Sequence, residues 1–112
     1  MKRGDIVTVS ISGDYGKPRP AIVIQTNDLS DTWPSVVVCP MTSTRLDLDF
    51  GILVEPDPEN GLRHPSQVMT DKFIGVSCLK IGSKIGAFSQ KDMRRLSTAL
   101  VFLLALAETE DF

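Results

Sequence analysis

One change of period constrains this chain more than any other feature. Up to about residue 88, apolar residues alternate with polar ones or stand in short β-branched runs between Gly and Pro. From Ser89 onward they recur every three to four positions. The first pattern builds strands and the second builds one face of a helix. Residues 5–12 set Val7, Val9 and Ile11 on one side and Thr8, Ser10 and Ser12 on the other, a half-buried strand of period two. Residues 20–25 form a second strand, apolar enough to be central. Residues 35–41 form a third, with Pro40 marking its end or an edge. Residues 50–54, 67–70 and 73–77 complete the set, and 80–86, with Gly82 and Gly86, reads as a turn region. Ser89 then caps a helix that carries Asp92 in its first turn and runs to about Ala107.

The expected fold is mainly β with a C-terminal helix, a small and strongly bent antiparallel sheet or half-open barrel, in one domain over residues 1–112. Met93, Leu96, Leu100, Leu103, Leu104 and Ala107 form one helix face. Val101, Phe102 and Leu106 carry apolar surface around the other sides. A helix that is apolar nearly all round is buried on more than one side. The core takes one side, and Leu100, Leu103 and Leu104 are expected at the interface of a homodimer.

Composition removes several classes of function. A net charge of −2 makes a poor non-specific nucleic-acid coat, although basic groups converging on one face still suit a few nucleotides. No apolar run follows Met1-Lys2-Arg3, and the longest apolar stretch, 99–107, is about half a membrane span. The expectation is a soluble, cytoplasmic protein with no membrane partner. Cys39 and Cys78 read as small buried hydrophobes, since two cysteines with no nearby histidine make no zinc site. The single histidine, His64, leaves no identifiable Ser-His-Asp arrangement, and no phosphate-loop signature is present. No metal and no cofactor is implied.

Two stretches carry chemistry. In Lys17-Pro18-Arg19-Pro20 the prolines hold Arg19 extended on a stiff stem at a loop–strand junction. Such a guanidinium can grip a phosphate through two parallel hydrogen bonds, or pair with a surface acid. In residues 36–44 an apolar strand exits into Thr42, Ser43 and Thr44. Hydroxyls there can donate to a phosphate oxygen, or brace a turn.

Arg3-Gly4-Asp5-Ile6-Val7, residues 16–24 around Pro18-Arg19-Pro20, and Val38-Cys39-Pro40-Met41-Thr42-Ser43 together resemble the MazF/PemK family of toxin endoribonucleases. Asn60-Gly61-Leu62, Pro65-Ser66-Gln67-Val68, Asp71-Lys72 and Ile85-Gly86 continue the resemblance over nearly the whole chain. It implies an SH3-like barrel with a C-terminal helix. It also implies a homodimer whose interface groove binds single-stranded RNA. Cleavage would be metal-independent and sequence-specific, leaving a 2′,3′-cyclic phosphate and a 5′-hydroxyl, with arrest of translation and growth. Arg19 and Thr42 fall on the family's catalytic Arg and Thr. Asp71 matches an acid some members use, but Met69 stands where the accompanying Arg would be. The resemblance further implies a MazE-like antitoxin whose disordered acidic tail lies across the RNA site.

RNA brings its own nucleophile, so the protein has to align it and stabilise the charge that builds on phosphorus. The general base stays open among Arg19, Asp71, His64 and water. Lys17, Thr44, Arg45 and Arg63 are candidate phosphate contacts, and Tyr15 and Trp33 candidate stacking platforms for unpaired bases. The alternatives on the same fold are a non-catalytic, CcdB-like inhibitor of DNA gyrase, which would rely on C-terminal residues, and a small adaptor for a protein tail. The Gly-Lys-Pro-Arg-Pro and Pro-Met-Thr-Ser segments favour the ribonuclease.

Overall fold

The structure, a computed structural model, describes residues 1–10, 17–44 and 51–107. Among the described residues, seven strands, β1 (Asp5–Val9), β2 (Arg19–Val23), β3 (Ser35–Thr42), β4 (Ile52–Val54), β5 (Ser66–Val68), β6 (Ile74–Ser77) and β7 (Ile81–Ala87), precede one α-helix, α1 (Gln90–Leu103). The sheet is antiparallel and open. Its order is β4-β5-β3-β2-β1-β7, with β6 also paired to β3.

β3 is the hub. One side pairs with β2. On the other side Ser35–Val38 pairs with β6, and Met41 and Thr42 pair with β5. The strand therefore serves two neighbours that diverge, and the sheet bends between them. Pro40 sits at the switch and ends nothing: it pairs with Ala21, while its carbonyl accepts from Met69 N–H at 2.9 Å. A strand residue's N and O point to the same side. The missing N–H therefore faces the gap between β6 and β5, where no ladder bond is lost.

Period-two alternation produces two cores rather than one. Ile6, Ile22 and Cys39 lie side by side in register and pack with Met41, Val68, Leu96 and Leu100 beneath α1. Their neighbours Val7, Ala21, Val23 and Val38 form a second cluster with Val9, Val36 and Val76. The first strand, expected to be half-buried, is thus covered on both faces. Even Asp5 is buried, accepting from Lys2 N–H at 2.9 Å and pairing with Lys84 at 3.2 Å.

The main differences from expectation fall at three places. From Ile81 onward the region 80–86 is strand β7, not a turn. Its glycines answer close approach: a Cβ on Gly82 would lie 2.3 Å from Thr8 Oγ1, and one on Gly86 2.2 Å from the Asn60 carbonyl oxygen. The segment 67–70 is strand only as far as Val68, and Thr70–Lys72 forms a 3₁₀ turn that lies against α1. The helix begins as expected, with Asp92 N–H donating to Ser89 Oγ at 3.1 Å, but it ends at Leu103 rather than near Ala107. Ala105 turns left-handed at φ 54°. Its N–H bonds the Phe102 carbonyl at 3.2 Å, and Leu106 N–H reaches back to Val101 at 3.0 Å. That pair of bonds is the Schellman stop.

No helix among the described residues is long and apolar enough to cross a membrane.

Candidate functional site

β2 and β3 pair as Ala21↔Pro40, Ile22↔Cys39 and Val23↔Val38. The same register carried two residues further sets Arg19, the first residue of β2, opposite Thr42, the last of β3. The two stretches singled out in the sequence therefore lie at the same end of neighbouring strands. Arg19 is exposed and Thr42 half-buried.

Both line a cleft of about 440 Å³ at this end of the sheet. Pro18 and Pro20 flank Arg19 in it, Ser43 follows Thr42, and Leu62, Arg63 and His64 bring the facing wall. Thr42 Oγ1 accepts from Thr44 N–H at 3.1 Å, which fixes the side chain and leaves its O–H to donate into the cleft. The wall is braced too: Ser66 Oγ donates to the His64 carbonyl at 2.9 Å, just before Ser66 enters β5. The result is an open, positively charged recess holding a guanidinium, an oriented hydroxyl, a second guanidinium and an imidazole. That set suits a phosphodiester.

The remaining candidates fall elsewhere. Lys17 is exposed and adjoins the cleft through Pro18, and Thr44 is exposed just past Thr42. Asp71 stands exposed on the 3₁₀ turn and does not line the cleft. Trp33 is half-exposed at the opposite end of β3, beside a separate recess of about 350 Å³ that it shares with Asn27 and Cys78. The eight residues of β3 put it roughly 23 Å away, at about 3.3 Å per residue. Tyr15 and Arg45 lie outside the described residues. Leu100 is buried in the protomer's own core, Leu103 is half-buried and Leu104 is exposed.

Sequence reading missed Thr8 and Ile85, which also line the cleft. Thr8 was assigned to a plain polar face; its Oγ1 accepts from Ser83 N–H at 2.9 Å across the β1–β7 pair. The available signal was Gly82, the residue that lets Thr8 approach. Among the described residues, no three His, Cys, Asp or Glu side chains converge as metal ligands.

Comparison with known proteins adds an independent line. The family model described as PemK-like, MazF-like toxin of type II toxin-antitoxin system matches residues 2–104. A probable endoribonuclease MazF of Mycolicibacterium smegmatis is 38% identical over 109 residues, spanning 96% of this chain and 99% of that protein. Among solved structures, a mycobacterial endoribonuclease in complex with its cognate antitoxin aligns with a TM-score of 0.82 at 19% identity, covering 97% of this chain and 99% of the other. The Mycobacterium tuberculosis toxin MazF-mt6 aligns at 0.78 with 23% identity, covering 90% and 96%. On the family match and the extent of that 38% identity, the chain belongs to the PemK-like, MazF-like toxins of type II toxin-antitoxin systems.

Proposed function

We propose that this protein is a metal-independent endoribonuclease that cuts single-stranded RNA within short specific sequences, works as a homodimer and is held inactive by an antitoxin. The observation that carries the reading is that Arg19 and Thr42, at the same end of neighbouring strands β2 and β3, line one open cleft. The name of the 38% identical relative supports the reaction class, and the antitoxin in the mycobacterial complex supports the partner.

In the proposed reaction the RNA 2′-oxygen attacks the adjacent phosphorus and the bond to the 5′-oxygen breaks. The products are a 2′,3′-cyclic phosphate and a 5′-hydroxyl. Arg19 binds the non-bridging oxygens through its planar fork and stabilises the added negative charge as it forms. Thr42 donates its hydroxyl to one of the same oxygens. Of the candidate bases His64 and Asp71, only His64 lines the cleft, so we assign removal of the 2′-hydroxyl proton to His64, and the departing 5′-oxygen takes up a proton from water. Arg63, and Lys17 beside Pro18, neutralise flanking phosphates. An acidic antitoxin tail would compete for the same cations.

The test is to incubate the purified protein with a long single-stranded RNA in EDTA and map the new ends. Cleavage that persists in chelator and leaves 5′-hydroxyls is the expected result. Intact RNA, or ends bearing 5′-phosphates, overturns the proposal. His64→Gln is expected to lower the single-turnover cleavage rate about 10²- to 10⁴-fold, the usual contribution of a positioned base. A parental rate in that variant would return the role to another group.

A further inference from the structure

The facing wall of the cleft rests on β7 through close backbone contact. A Cβ on Gly61 would lie 1.9 Å from the Ile85 carbonyl oxygen, so the loop carrying Leu62, Arg63 and His64 rests directly on β7. Gly61 also takes φ +68°, a conformation glycine adopts without strain. Ala87 N–H closes the contact by donating to the Glu59 carbonyl at 2.9 Å.

Behind this contact lies Asn60, only 2% exposed, with both ends of its amide bonded. Its Oδ1 accepts from Asp57 N–H at 3.1 Å and Leu62 N–H at 3.0 Å, and its Nδ2 donates to the Glu55 carbonyl at 2.9 Å. Asp57 Oδ1 in turn accepts from the N–H groups of Glu59, at 2.8 Å, and Asn60, at 2.7 Å. One buried side chain thus gathers residues 55, 57 and 62. The last of these is the residue immediately before Arg63 and His64. Asn60 itself does not line the cleft, so any effect it has on RNA must pass through the residues it holds.

We infer that Asn60 is a positioning residue for substrate binding: it fixes where Arg63 and His64 stand across the cleft from Arg19 and Thr42. The inference rests on the proposed reading of this cleft as the RNA site. A buried amide with several bonds can also serve stability alone, and the two roles separate in a double-mutant cycle. A residue acting through Arg63 loses its influence once Arg63 is gone; a residue that only stabilises the fold does not.

The probe is a single-stranded RNA containing the mapped cleavage site, with the attacking 2′-hydroxyl replaced by hydrogen so that binding is read without turnover. Asn60→Ala is expected to raise the Kd about tenfold in the parent protein and less than about twofold in Arg63→Ala, a coupling usual for residues in contact. Thermal unfolding of each protein confirms that the assay temperature lies below its transition. If Asn60→Ala is unfolded there, Asp57→Ala, which removes two bonds of the same network from an exposed position, is expected to show the same pattern at smaller size. Equal weakening in both backgrounds, or none in the parent, overturns the inference. Failure of the underlying reading looks different: Arg19→Ala, Arg63→Ala and His64→Ala then all bind RNA as the parent does, and the inference falls with it.

Discussion

Arg19 and Thr42 occupy matching strand ends, yet substitution should affect them differently. Thr42 contributes one oriented hydroxyl, so Thr42→Ser is expected to keep most cleavage. Thr42→Val is expected to lose about 10²- to 10³-fold in rate, the usual cost of removing one donor aimed at developing charge. Arg19→Lys keeps the charge but not the two parallel donors, so it should fall close to Arg19→Ala, which is expected to abolish cutting. Equal rates for Thr42→Val and Thr42→Ser in a single-turnover assay would remove the hydroxyl from the mechanism. A second residue-scale prediction concerns Cys39. Burial pushes its thiol from 9.0 up to about 12, with the Arg3 charge pulling the other way. The unfolded chain releases that proton near pH 9 and the folded chain keeps it until about 12. The stability this group contributes is therefore complete below pH 9 and lost as pH rises from there, by up to about 1.4 kcal/mol per pH unit. Cys39→Ala should lack this slope, so the stability gap between parent and variant narrows from pH 9 upward in urea melts. The position of Arg19 and Thr42 at strand ends was legible in the sequence, because one stands between prolines and the other follows an apolar run; a catalytic role for either came from the resemblance. Asn60 was not legible as more than a motif, since its role comes from burial against a strand about 25 residues later. Trp33 was separable in principle: consecutive antiparallel strands put successive loops at opposite ends of a sheet.

At the scale of elements, strands with clean alternation were readable, and elements shaped by their neighbours were not. β1, β2 and β3 were found because β-branched residues mark them. β7 was read as a turn because Gly82 and Gly86 look like turn residues in isolation, whereas each makes room for another segment. Gly86→Ala is accordingly expected to destabilise the fold by more than the ~1–3 kcal/mol usual for an overpacked position, since the obstructing atom is backbone and cannot swing away. The helix end shows the opposite case. The stop occurs at Ala105, where a left-handed conformation costs an L residue roughly 1–2 kcal/mol. Ala105→Gly removes that strain but gives the unfolded chain back about 0.4–1 kcal/mol of entropy. The net expectation lies between no change and a gain of about 1.6 kcal/mol, so the melting temperature holds or rises by several degrees. A lower melting temperature would mean the helix end is not held as described.

The molecule as a whole buries one side of α1 and leaves the other uncovered. Leu96 and Leu100 point into the core under the sheet, while Phe102 is 74% exposed and Leu106 68%. Covering such side chains is worth roughly 1.5–3 kcal/mol each, a driving force on which the proposed dimer would draw. This division changes how the proposed dimer has to be tested. Leu100 was expected at the interface, but a glutamate there would bury an unpaired charge inside the protomer, and loss of the dimer would only report loss of the fold. Phe102 is the informative position. It also lines the groove between α1 and β4, beside Arg94 and Arg95, so a carboxylate there meets cations as well as water. Phe102→Glu is expected to give a folded monomer in sedimentation, with the parent's far-ultraviolet spectrum, whereas Leu100→Glu gives unfolded or aggregated protein. A Phe102→Glu protein that still sediments as a dimer would move the interface off this helix face. A protein that is monomeric yet cuts RNA at the parental rate would show that one cleft is sufficient, and that the second protomer contributes stability rather than substrate contacts.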